Sequence, residues 1–193
     1  KMFDVSSRQQ ICILSMHPAT ASSEGIIECA KNIIKTLDQH PDFKIFISFS
    51  NLEPGGEGLN QFWKDFAHLQ KDRVVLQESF GWKRHLSLMK HASLMLGNSS
   101  SGIIEAASFK LPVVNIGNRQ KGRICSDNVI HSDECFEDIS AAVKKALSSN
   151  FRQQISDLVN LYYKPKSSKN IIDQLLLWEP KKECSFYDLE GNW

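Results

Sequence analysis

The sequence predicts an α/β fold, a parallel sheet with helices on both faces. Three observations carry this. Short apolar runs alternate with helix-length stretches along most of the chain. The apolar runs are rich in Ile, Val and Leu with little polar alternation, as in strands buried on both sides. Few hairpin signals join neighbouring runs, so the strands return in parallel through helices.

The elements follow in order. Ile11 to Met16 reads as a first strand, and Ser22 to Leu37 as a helix capped by Ser22 or Ser23. Its apolar face is Ile26, Ile27, Ala30, Ile33, Ile34 and Leu37, a 3.6-residue pattern. Lys44 to Phe49 is a second strand, followed by a Gly/Pro loop at Glu53-Pro54-Gly55-Gly56 and a helix from Leu59 to Leu69. Arg73 to Gln77 is a third strand and Trp82 to His91 a helix. Leu94 to Leu96 is a fourth strand that ends at Gly97, and Ser101 to Phe109 a short helix. Pro112 to Ile116 and Asn128 to His131 complete the strands. Helices are expected over Glu134 to Leu147, Phe151 to Tyr162 and Ser168 to Trp178. We place the lobe at 1–180 and a polar, aromatic tail at 181–193.

Composition sets bounds on function. The chain has 193 residues, 41% hydrophobic and 23% charged, with a formal net charge of +1. Near-neutral charge argues against a general nucleic-acid or anionic-membrane binder. No apolar run approaches the roughly 18 to 20 residues of a membrane span, and no signal-peptide apolar region is expected at the start. Cys12, Cys29, Cys125, Cys135 and Cys184 are odd in number and form no CxxC pair. They fit neither a disulfide framework nor a zinc site, and reduced structural cysteines in the cytoplasm are expected. No metal site and no cofactor are predicted.

In parallel sheets ligands sit beyond the carboxyl ends of the strands, and the polar residues of interest stand there. The run Gly97-Asn98-Ser99-Ser100-Ser101-Gly102 carries a strand into a helix. Unpaired N–H groups at a helix start and serine hydroxyls suit a phosphate, although an ordinary serine cap fits the same residues. Glu105 lies four residues after Ser101, on the same helix face. An ionised carboxylate only accepts hydrogen bonds and can take the two hydroxyls of a ribose. It would repel a phosphate. There is neither a Walker A sequence nor a GxGxxG after a strand.

Three further strand ends carry ligand-type residues. His17, held extended by Pro18, can donate a proton or bind a diphosphate, or serve the structure alone. Asn51 can bond a base or sugar, or only form a turn. Arg119 stands with Lys121 and Arg123 between glycines. It can bind phosphate with two parallel hydrogen bonds, or belong to a solvated basic loop.

Together these residues resemble a known family, the hydrolysing UDP-N-acetylglucosamine 2-epimerases of sialic- and legionaminic-acid pathways. The matching text is Gly97-Asn98-Ser99-Ser100-Ser101-Gly102-Ile103 with Glu105-Ala106, then Leu111-Pro112-Val113-Val114-Asn115-Ile116-Gly117 with Arg119-Gln120 and Gly122-Arg123, then Asp127-Asn128-Val129-Ile130. His17-Pro18-Ala19-Thr20 resembles the family's His-Pro-Val-Thr, and Ser185 to Leu189 resembles its usual chain end. Ile104 and Ala107 stand where the family often has arginine and proline.

The resemblance covers nearly the whole chain but only the second half of the family's enzymes, which have two Rossmann-like lobes of the GT-B type. The first lobe, which supplies the acid and base carboxylates, has no counterpart in this sequence. The resemblance implies that His17, Asn51, Ser99, Ser100, Glu105 and Arg119 line a UDP site, with Glu105 on the ribose and His17 also assisting the chemistry. That chemistry is elimination of UDP followed by hydration to N-acetylmannosamine or a related sugar. The implied partners are a UDP-sugar, the absent first lobe and a second copy in a homodimer. A GT-B glycosyltransferase donor lobe and a non-catalytic UDP-sensing module are the rival readings.

Overall fold

The computed structural model describes residues 9–18, 23–51 and 53–179. Ser22, Ala19, Thr20, Cys184 and the tail after Pro180 lie outside the described residues. The chain divides into two units, 1–162 and 163–193.

The first unit is built on six parallel strands in the order β3-β2-β1-β4-β5-β6. They are β1 (Gln10–Ser15), β2 (Phe43–Ser48), β3 (Val74–Gln77), β4 (Leu94–Gly97), β5 (Val113–Ile116) and β6 (Val129–Ser132). Strand order reverses between β1 and β4, so a crevice opens there beyond the carboxyl ends. The helices are α1 (Ser23–Leu37), α2 (Gly56–Leu69), α3 (Gly81–His91), α4 (Ser100–Ile104), α5 (Phe136–Leu147) and α6 (Ser149–Gln154).

Both faces of the central strands are covered. On one side α1, α2 and α5 press Ile33, Leu59, Trp63 and Val143 onto Cys12, Leu14, Ile45 and Leu96. On the other, Leu88 and Met89 of α3 with Ala106 and Leu111 cover Ile13, Phe46, Met95 and Val113. Successive residues of β1 point to opposite faces, and Cys12, Ile13 and Leu14 are all buried. This is why the strands read as unbroken apolar runs. Burial pushes the Cys29 thiol up to about 12 and raises Cys12 further. Both behave as small apolar side chains.

Two expected helices take a different form. The stretch 101–109 is α4 followed, after Glu105, by a 3-10 turn over Ala106–Phe109. The helix expected over Phe151 to Tyr162 stops at Gln154. Asn160 stands at both departures. The Asn160 side-chain amide donates to the Ile104 carbonyl at 2.8 Å and to Ser108 Oγ at 2.7 Å, while its Oδ1 accepts from the Tyr162 N–H at 2.9 Å. It satisfies a carbonyl at the end of α4, and its bond to the Tyr162 N–H forms a local turn in the segment beyond α6. Helix α2 also begins earlier than expected, because Gly55 adopts a left-handed conformation at its start.

The second unit contains α7 (Ser167–Leu177), whose Ile171, Ile172, Leu175, Leu176 and Leu177 are exposed.

Candidate functional site

The last rung of the sheet sets the site. Ser15 of β1 is opposite Gly97 of β4, and Gly97 is opposite Asn115 of β5. Gly97 has φ 124°, and a Cβ there would lie 2.0 Å from the Ser15 carbonyl oxygen. Only glycine allows β4 to leave the sheet so close to β1.

Immediately beyond this rung, Asn98 and His17 join the two strand ends across the crevice. The His17 N–H donates to Asn98 Oδ1 and Asn98 Nδ2 donates to the His17 carbonyl, both at 2.8 Å. The backbone carbonyl of Asn98 accepts from Gln120 Nε2 at 2.7 Å and from the Arg119 guanidinium at 3.3 Å. Asn98 and Gln120 are buried. The loop after β5 is thereby fastened to the end of β4.

The His17 ring is fixed as firmly as its backbone. Its Nδ1 accepts from the Asn51 N–H at 3.2 Å. The neutral ring therefore carries its proton on Nε2, which lies 3.5 Å from Ser15 Oγ. Burial lowers the His17 pKa, Arg119 lowers it further, and Glu53 opposes them. Glu53 Oε1 is 3.3 Å from Arg119. A neutral imidazole with a committed Nδ1 has only its Nε2–H left to donate.

The second half of the site is on α3 and α4. Ser99 caps α4, its hydroxyl accepting from the Ser101 N–H at 3.4 Å. Ser101 Oγ donates to Glu105 Oε2. Ser101 Oγ also lies 2.8 Å from Nε2 of His85, a half-buried residue of α3. Burial lowers the His85 pKa and Glu105 pulls it back up.

The structure thus gathers the expected residues into two groups. His17, Asn51 and Arg119 meet around Asn98. Ser99, Ser100 and Glu105 share the turn after β4. Asn51 reaches His17 through its backbone N–H, and its side chain makes no hydrogen bond among the described residues. Asn98, Gln120 and His85 escaped sequence reasoning, and Glu53 is an available acid that nothing in its spacing recommends. Asn98 and Gln120 stand within the motifs, so adjacency was the available signal. Nothing in the sequence links Glu53 to Arg119, or His85 to Ser101. Among the described residues no His, Cys, Asp or Glu side chains group as a metal site, and no helix is long and apolar enough to cross a membrane.

A doubly wound parallel sheet with polar groups at its switch point defines a Rossmann-like lobe of the GT-B type. The S. aureus MnaA–UDP co-structure shares this fold, with TM-score 0.68 and 17% identity over 93% of this chain and 48% of that one. A glycosyltransferase of kitacinnamycin shares it at TM-score 0.56 and 14% identity, over 89% and 44% of the two chains. The chain belongs to the UDP-N-acetylglucosamine 2-epimerase family, whose model matches residues 1–176. It is 31% identical over 153 residues to the GDP/UDP-N,N'-diacetylbacillosamine 2-epimerase (hydrolyzing) of Campylobacter jejuni. That match covers 79% of this chain and 39% of the relative. The chain spans about half the length of the proteins it matches, or less.

Proposed function

We propose that the chain is the UDP-binding C-terminal lobe of a hydrolysing UDP-sugar 2-epimerase, acting on UDP-N-acetylglucosamine or a related 2-acetamido sugar. The observation that carries this is the convergence of His17, Arg119 and the Ser99–Glu105 turn at the switch point between β1 and β4. Family membership supports the sugar-nucleotide assignment.

In this reading the diphosphate lies between Ser99, Ser100, Arg119 and the His17 Nε2–H. Arg119 trades Glu53 for phosphate, and the ribose hydroxyls meet Glu105. Asn51 lines the same crevice. The reaction begins when a base removes the C2 proton of the sugar and the C1–O bond to UDP breaks. Water then adds across the resulting double bond, with inversion at C2. The departing diphosphate gathers negative charge, and donors already aimed at it stabilise that charge without reorganisation. The acid and base belong to the other lobe, which completes the enzyme. A cytoplasmic setting and a sialic-acid-type product follow from the same reading.

Calorimetry with UDP tests the lobe directly. Binding at millimolar UDP or below, weakened in Glu105→Ala, is the expected result. Absence of binding removes the assignment. For the two-lobed protein, release of the 2-epimeric free sugar from the UDP-sugar alone separates an epimerase from a transferase, which requires an acceptor.

A further inference from the structure

The hydrogen-bond chain His85–Ser101–Glu105 has a fixed direction. An ionised carboxylate has no proton to give, so the proton in the Ser101–Glu105 bond belongs to the serine. A hydroxyl has one proton, so Ser101 Oγ can only accept from His85 Nε2. His85 therefore presents Nε2–H and removes the alternatives otherwise open to the Ser101 rotor. The backbone beneath Glu105 is set independently, by its N–H on the Ser101 carbonyl at 3.0 Å and by the Ser108 N–H on its own carbonyl at 3.0 Å. Its side chain, however, is exposed, and an exposed glutamate samples many rotamers. Oε2 is held by Ser101, while Oε1 has no hydrogen-bond partner among the described residues.

We propose that His85 is a positioning residue for nucleotide recognition: through Ser101 it holds the Glu105 carboxylate with one oxygen engaged and the other offered to the ribose hydroxyls. This rests on the UDP reading above. His85 acts at one remove, and its contribution depends on the hydroxyls being present in the ligand. A residue that merely stabilises α3 against α4 would not show that dependence.

The experiment compares UDP with 2′,3′-dideoxy-UDP by calorimetry on the unsubstituted chain and on His85→Ala, His85→Gln, Ser101→Ala and Glu105→Ala. His85→Ala is expected to weaken UDP about 10-fold, the scale of one hydrogen bond to a charged group, and to leave dideoxy-UDP nearly unchanged. Ser101→Ala should do the same. His85→Gln, which keeps an N–H donor, should recover most of the loss, and His85→Ala should cost nothing further in the Glu105→Ala background. Equal losses for both ligands, or no loss for UDP, overturn the proposal. If the unsubstituted chain binds no UDP, the nucleotide reading falls. The ring-nitrogen NMR spectrum of the ligand-free protein then decides the chain on its own. An Nε2–H tautomer at His85 sustains the hydrogen-bond chain, and an Nδ1–H tautomer refutes it.

Discussion

Asn98 and His17 hold each other by a reciprocal pair of hydrogen bonds, each 2.8 Å long, across the ends of two strands remote in sequence. The pair is buried, so neither His17 backbone group has water as a substitute. Asn98→Asp keeps the shape and one acceptor but sets a carboxylate oxygen against the His17 carbonyl. It should cost about 2–4 kcal/mol, the combined scale of a lost bond and an unsatisfied buried group. A urea-unfolding midpoint within error of the unsubstituted chain would count against this account.

Gly97→Ala should be at least as damaging. The residue sits at φ 124°, and its new Cβ would meet the Ser15 carbonyl at 2.0 Å. Backbone strain of this kind costs about 1–3 kcal/mol before any clash is relieved. The prediction is a loss of at least about 2 kcal/mol in urea unfolding together with weakened UDP binding. Retention of both would show that β1 and β4 separate more easily than their register implies.

Stability should fall on acidification through His17. Its folded pKa lies below the ordinary value of 6.5, chiefly from burial and then from Arg119. Below that value the unfolded chain takes up a proton that the folded ring resists. The contribution is complete above pH 6.5 and is lost as the pH falls towards the lower folded value. The urea midpoint should therefore drop between about pH 7.5 and about pH 5.5, and His17→Gln should drop less over the same interval. Equal drops would remove His17 as a source.

In the UDP-binding reading, Glu53 and the phosphate compete for Arg119. Arg119→Ala should weaken UDP binding at least about 10-fold, as expected for a charge-assisted contact to phosphate. Glu53→Gln releases the guanidinium from its 3.3 Å ion pair and should tighten UDP binding. Weaker binding in Glu53→Gln would instead mean that Glu53 orients Arg119.

The strands were readable because β1, β2, β4 and β5 are buried on both faces and so carry little but apolar residues. The break at Glu105 and the stop after Gln154 were not. The segment from Ile104 to Ser108 is held by Asn160, which lies 56 and 52 residues away from its partners there, beyond any local pattern. The same distinction divides the site. His17, Asn51, Ser99, Ser100, Glu105 and Arg119 follow strands, and position, residue type and the family resemblance together recommend them. The Glu53–Arg119 and His85–Ser101 contacts are long-range pairs of common residue types, formed only once the sheet closes.

The two groups at the crevice have a consequence for how this lobe can change. One network runs through His17, Asn51, Asn98, Arg119 and Gln120, the other through His85, Ser101 and Glu105. Among the described residues no side-chain hydrogen bond joins them. Side-chain substitutions in one wall break no side-chain hydrogen bond of the other. In the UDP-binding reading, the His17 and Arg119 contacts to the diphosphate and the Glu105 contact to the ribose can therefore be altered separately, and a redesign of either can begin from a single wall.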